Sequence, residues 1–484
     1  MAALLLAATL ATGASGQVSD SEQPQLSLKA GTSRVVYERE KGDFIYLEPG
    51  MHLAATGAPF DIRLHRDNYV DPLEVWQVLP GPGNSTQERA LPLEIAGDLN
   101  GLDDFFFGTI TNKDGEVVRE MTADFCPNGY DMQRVNDEGP QTPSYPSSCG
   151  AGPFTRGMVW GLDEGWATRI YGFGDDGIRL RAGLYDVDVE IAPRYIELFS
   201  LDPATSAAHV ELKVKTVDYP DYPEFPPKGS SSAPRSQNVP TDLTPDPATL
   251  PDLVPLPAWS MSVTHGKKKA HLNFSATVAV EGASSLVVEG FRREGQDVMD
   301  AYQYFNSGDE VVGRAPVGTM EYDRRDGHFH WHFQQFARYS LLNADQSEIA
   351  LSRKESFCLA ATDAIDLLIP GVRWRVENSD LSTACGSEDS LWVREILPLG
   401  WADTYTQSLP GQSFNITDLP NGKYFVSVEA NSEGLLYEQN MDNNVELREI
   451  HLKGKGLDRR VFVPPWNGID TDPQRSGNGG SDHH

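Results

Sequence analysis

Four cysteines in 484 residues are too few for a disulfide-built scaffold, and none stands in a Cys-x-x-Cys spacing, which argues against a four-thiolate zinc site. Basic residues are also scarce. Lys and Arg number 40 against 70 Asp and Glu, a formal charge of −30, which argues against nucleic acid or an anionic membrane as the main partner. Such a surface keeps a protein dispersed and draws in cationic substrates. Beyond the N-terminal run, no stretch approaches the ~20 consecutive apolar residues of a membrane-spanning helix, so no transmembrane segment is expected. Long helical periodicity is missing too. Only 11 histidines occur, yet three of them crowd into His328, His330 and His332.

What is present suits a folded β protein. The length predicts two domains of roughly 200 residues each plus tails, and a hydrophobic content of 39% is ample for their cores. The N-terminus, Leu4 to Ala11, is apolar and leads into Ala14-Ser15-Gly16, the pattern of a secretory signal over residues 1–16, although a basic n-region is missing. A secreted, extracellular product is therefore expected. In that oxidising setting the cysteines form two local pairs, Cys126 with Cys149 and Cys358 with Cys385. Each closed loop is worth about 3 kcal/mol on the chain-entropy picture.

Short alternating runs broken by Gly, Asn and Asp fill residues 26–217, with an Asp114-Gly115 hairpin turn among them. Gly172-Phe173-Gly174-Asp175-Asp176-Gly177 has the spacing of a dinucleotide fingerprint, but a strand-like run follows where a helix would be needed, so it is read as a turn. Prolines and serines then crowd residues 218–249, a composition that cannot bury a core and reads as a linker. A second strand-rich domain spans 250–452, and 453–484 reads as a flexible tail. The fold class expected is mainly β, two β-sandwich-like domains with the catalytic one C-terminal. An internal echo, Gly-x-Tyr-x-Val-x-Val-Glu, begins at Gly183 and again at Gly422 and reads in both places as a turn entering a strand.

In Gly327-His328-Phe329-His330-Trp331-His332-Phe333 the period of two places three imidazoles on one strand face and three aromatics on the other. Neutral imidazoles suit Cu(II) or Zn(II), whereas Ca(II) and Mg(II) prefer oxygen. Bringing the rings together requires local twist or a bulge, since alternate residues stand about 7 Å apart along a strand. Downstream lie Lys354-Glu355-Ser356-Phe357-Cys358-Leu359 and Asp403-Thr404-Tyr405, the latter ten residues before Asn415-Ile416-Thr417-Asp418-Leu419.

With these stretches the chain resembles the lysyl oxidase family, in its bacterial-type form, over residues from about 250 to 452. Asn443-Asn444-Val445 and the approach Arg314-Ala315-Pro316-Val317-Gly318-Thr319-Met320 are similar as well. The resemblance implies a copper-dependent amine oxidase in which His328, His330 and His332 are the copper ligands. It further implies that Lys354 and Tyr405 are joined as a self-derived lysine tyrosylquinone. A primary amine, either peptidyl lysine or a small polyamine, would be converted to an aldehyde at the expense of O2, with release of H2O2 and ammonia. The animal enzymes carry more cysteines here, and the histidine run lies one residue closer to Tyr339-Ser340-Leu341-Leu342, so matrix proteins do not follow as substrates. For the proton acceptor, Asp326, Asp403 and Asp442 are candidates by proximity to the motifs. Two other readings use the same histidines: a zinc hydrolase that activates water, and a non-catalytic copper-binding surface protein. Neither accounts for a lysine and a tyrosine in these contexts.

Overall fold

The strands divide into two bodies of antiparallel sheet, one on each side of the proline-rich stretch. The computed structural model describes residues 23–82, 85–97, 99–217, 238–308, 310–324, 329–352, 356–377, 379–409, 411–469 and 471. The expected signal segment and residues 218–237 of the expected linker lie outside the described residues.

Alternation builds the first body. Gln25–Ala30, Met51–Thr56 and Gly183–Ile191 each send every second apolar side chain inward, and their inner faces pack around Leu53, Phe60, Phe106, Trp160 and Leu212. Its largest sheet runs in the order Arg34–Arg39, Ala207–Thr216, Gly183–Ile191, Leu102–Asn112, Val117–Phe125. Only the first of these pairings is parallel. The hairpin at Asn112 to Gly115 forms as its residues require: the Gly115 N–H donates to the Asn112 carbonyl at 3.0 Å, and Gly115 adopts φ of 81°. Phe173–Ile178, read as a turn, is instead an irregular strand paired with Ile45–Leu47. Two apolar ends explain this: Phe173 and Ile178 are both buried and anchor the segment.

The second body holds three sheets. One is ordered Pro251–Pro255, Ala270–Gly282, Trp401–Tyr405, Asp363–Ala364. Another is ordered Ser356–Phe357, His330–Gln334, Glu310–Asp323, Val298–Ser307, Leu286–Arg292, Trp392–Leu397. The third contains Ala337–Leu342, Gly422–Ala430 and Val445–Lys453. The internal echo has a physical meaning here. Tyr185 donates its hydroxyl to the Arg181 carbonyl at 3.0 Å and Tyr424 to the Pro420 carbonyl at 2.8 Å, so each Gly-x-Tyr locks the bend by which the chain enters a long strand.

The two bodies are joined by far more than a tether. Asp363–Ala364 ends its sheet, and the first body caps that edge: Ala151 pairs with Ala364 and Gly157 with Asp366, both parallel. Arg156 and Gly157 donate backbone N–H groups to the Ile365 carbonyl at 2.6 and 3.1 Å, and the Leu367 N–H returns a bond to the Gly157 carbonyl at 3.0 Å. The Arg375 guanidinium crosses the seam to the carbonyls of Gly129, Tyr130 and Tyr145. Ala364, Leu367, Val376 and Trp401, all from the second body, are buried within the first body's core.

The seam also corrects the expected tail. Within residues 453–469, Arg460–Phe462 pairs with Val445–Lys453, and Trp466 packs its ring 5.0 Å from Tyr69 and 5.6 Å from Phe154. Overall polarity hid the apolar residues of this stretch, Val461, Val463 and Trp466, which find partners on both bodies. Residues 238–249 likewise lie against the second body, with Thr241 bridged to Arg314.

Because the seam combines buried apolar surface with backbone pairing, cutting the chain within 218–237 should leave the halves together. We expect the nicked protein to elute as one species on size exclusion and to separate only in denaturant. Native separation into two folded halves would show the seam to be weak.

Candidate active site

The histidine strand His330–Gln334 is flanked on one side by Glu310–Asp323 and on the other by the two-residue strand Ser356–Phe357. Trp331 and Phe333 point into the core, and the Trp331 indole N–H donates to the Ser387 carbonyl at 2.9 Å. That much follows the period of two. Phe329 does not: it precedes the strand, takes φ of 42° and is 56% exposed. Its left-handed backbone ends the alternation, so its ring turns out to solvent.

His330 and His332 bring their ring centroids within 4.7 Å, close enough for a nitrogen of each to meet one ion with metal–nitrogen bonds of about 2.0 Å. His332 is buried. Its Nδ1 lies 3.3 Å from the Ser356 Oγ and 3.5 Å from an Asp323 carboxylate oxygen. A proton on Nδ1 facing these oxygens would leave Nε2 as the nitrogen that presents its lone pair to a metal. The donor set therefore fits Cu(II) or Zn(II). His328 and Lys354 lie outside the described residues, as does Asp326. Among the described residues, no group of three or more His, Cys, Asp or Glu side chains is gathered as a metal centre.

Tyr405 ends the strand Trp401–Tyr405, pairs with Ala276 and is buried. Its hydroxyl donates to the Cys358 carbonyl at 2.8 Å, and its ring meets the Phe357 ring edge-on at 4.7 Å. The segment that follows Lys354 thus runs between the two functional groups: Ser356 faces His332, Phe357 supports the Tyr405 ring, and Cys358 receives the Tyr405 hydroxyl. The Cys358–Cys385 disulfide fixes the end of this segment, and the Cys385 carbonyl accepts the Trp331 N–H at 3.0 Å. Both expected disulfides are present.

Beside the phenol lies a cluster of buried polar groups. Asp403 shares the strand face with Tyr405, two residues away, and is buried. Glu395, from Trp392–Leu397, is fully buried, with Oε2 accepting the Leu359 N–H at 3.1 Å. Gln412 donates to the Tyr405 carbonyl at 3.0 Å. Burial, reinforced by Asp403 and Glu395, drives the Tyr405 phenol well above its ordinary range. Burial first, then Asp403, does the same for Tyr339. Burial also pushes the Glu395 carboxyl well up, against the pull of the Leu359 and Phe333 N–H groups. Asp442, by contrast, is an exposed turn residue whose N–H bonds to the Asn440 side chain. Glu395 escaped the motif reading because it sits beside Arg394 in an apolar strand. Arg394 itself is committed to Glu289 at 2.8 Å across the neighbouring strand.

A buried tyrosine, a histidine pair and the chain segment strung between them are thus brought together in a mainly β body. Comparison with known proteins agrees. The lysyl oxidase family's sequence pattern matches residues 304–460. The bovine protein-lysine 6-oxidase is 26% identical over 213 residues, covering 42% of this chain and 46% of that protein. The human lysyl oxidase homolog 1 is 27% identical over 213 residues, covering 43% of this chain and 34% of its own length. Residues 304–460 of the C-terminal body thus carry the pattern of the lysyl oxidase family. The match spans less than half the length of these two relatives and leaves the first body uncovered.

Trp331→Ala should lower the unfolding free energy by about 3 to 5 kcal/mol, read by urea denaturation. A second expectation concerns pH. With its folded-state affinity for a proton raised, Glu395 keeps that proton in the native protein at pH values where the unfolded chain has released it. Stability should therefore fall as pH rises above the ordinary carboxylate range. Glu395→Gln should flatten that slope in melting curves taken from acid to neutral pH; an unchanged slope would place its origin elsewhere.

Proposed function

We propose that the protein is a secreted, copper-dependent amine oxidase acting on a primary amine, either peptidyl lysine or a small polyamine. The observation that carries this reading is the bond from the Tyr405 hydroxyl to the Cys358 carbonyl, within the segment that begins at Lys354 and pairs alongside His332. Copper and a quinone formed from Lys354 and Tyr405 would supply an electrophilic carbonyl and an electron sink, so that amine and O2 yield aldehyde, H2O2 and ammonia.

The chain's own residues would do the rest. His328, His330 and His332 would hold the metal, with Ser356 and Asp323 orienting the His332 ring. Phe357 would fix the plane of the Tyr405 ring, and the surrounding aromatics would keep water from it. The formal charge of −30 favours approach of a cationic amine. Two disulfides and the apolar run at residues 4–11 support export, and among the described residues no helix is long and apolar enough to cross a membrane.

Peptide mapping of protein matured in air with copper should find the Lys354 peptide joined to the Tyr405 peptide. Amine-dependent peroxide release should accompany the cross-link, vanish with phenylhydrazine and drop to background in Lys354→Arg and Tyr405→Phe. Copper-loaded protein with both peptides unjoined and no peroxide from any amine would exclude the reading. Bound zinc with indifference to phenylhydrazine would indicate the hydrolase instead, and bound copper with no activity a copper-binding surface protein.

A further inference from the structure

Forming a quinone from a phenol requires the phenol to lose its proton, and the surroundings of Tyr405 restrict where that proton can go. Tyr405 is buried with its ring edge-on to Phe357, and Tyr339 and Phe336 pack against Phe357 in turn. The visible acceptor of the Tyr405 hydroxyl is the Cys358 carbonyl, a hydrogen-bond acceptor but not a base. Besides the Tyr339 phenol, two carboxyl groups act on the Tyr405 hydroxyl, Asp403 and Glu395. Asp403 is the nearer in construction: it stands two residues before Tyr405 on one strand, so both side chains leave the same face, and its buried carboxylate is close enough to raise the phenol's hold on its proton. Glu395 reaches the pocket from another strand and is tied to the backbone at Leu359.

We propose that Asp403 is the group that takes the phenolic proton of Tyr405 as the cofactor forms. This rests on the amine oxidase reading above. In the step, the Tyr405 Oη–H bond breaks, its electron pair stays on Oη as a phenolate, and the proton forms a new O–H bond on the Asp403 carboxylate. Copper and O2 would supply the later oxidation of the ring, which takes no electron from Asp403.

Charge bookkeeping favours this route. Releasing the proton to water would leave a phenolate beside a carboxylate in a water-poor pocket, where like charges repel strongly. Passing it to Asp403 moves one negative charge without adding another. The scheme needs Glu395 to contribute no charge of its own. Glu395 is fully buried, its Oε1 makes no hydrogen bond within ordinary geometry, and burial favours its neutral form. Glu395→Gln therefore imitates the working state, whereas Asp403→Asn removes the base.

The test uses the full chain, purified without copper and then given a copper(II) salt in air, with the joined Lys354–Tyr405 peptide quantified against time. Copper stoichiometry and melting temperature are measured on each variant. Wild type and Glu395→Gln should cross-link at similar rates, and Asp403→Asn should be slower by roughly 100-fold or more while still binding copper. An Asp403→Asn protein that folds, binds copper and cross-links at the wild-type rate overturns the assignment. So does a Glu395→Gln protein that is severely slowed at unchanged melting temperature, since Glu395 would then be the acceptor; this second comparison decides the matter even if Asp403→Asn fails to fold. Absence of any cross-link in the wild type would instead overturn the amine oxidase reading, and this inference with it.

Discussion

The pairing of Ser356–Phe357 with the histidine strand is the contact on which the site depends. Only two residues on each strand are in register, Phe333 with Phe357 and Gln334 with Ser356. So short a ladder has little stability of its own. It is held from both ends: the Cys358–Cys385 disulfide anchors the chain just beyond it, and Phe357 is wedged among Phe336, Tyr339 and Tyr405. A register shift of one residue would turn Ser356 away from His332 and Phe357 out of the core. The geometry between His332 and the Tyr405 phenol is thus set by one aromatic side chain and one covalent tie.

Much of this was legible in the sequence, because most of the relevant signals are local. The period of two in His330 to Phe333 gave a strand with Trp331 and Phe333 inward, and strand-like runs separated by turn residues gave a mainly β fold. The cysteine pairs followed from spacing and compartment. Where local pattern misled, backbone conformation or distant partners had overruled it. Phe329 continues the alternation in sequence, but its positive φ breaks the alternation in space. Trp466 lies in polar surroundings along the chain, and only the approach of Tyr69 and Phe154 gives it a place to pack.

Glu395 is the more instructive omission. A carboxylate in a fully buried strand is costly unless something compensates it. Its neighbour Arg394 does not supply that compensation, because adjacent residues on a strand face opposite ways and Arg394 pairs with Glu289. The strict alternation that identified the histidine strand, applied to Trp392–Leu397, separates the two charges and leaves Glu395 needing an explanation of its own.

The capped edge at Asp363–Ala364 has a consequence for how the molecule is made. The ribosome delivers the first body before any of the second, and domains generally fold as they emerge. Ala151 and Gly157 can thus already be in place when Ala364 and Asp366 arrive. The later strand meets a preformed template, and an open sheet edge that would otherwise recruit another chain is covered from the moment it exists. Reversing the order of the two halves by circular permutation would keep every contact in the finished protein yet expose that edge throughout synthesis, so the present order of the halves is itself a safeguard against aggregation.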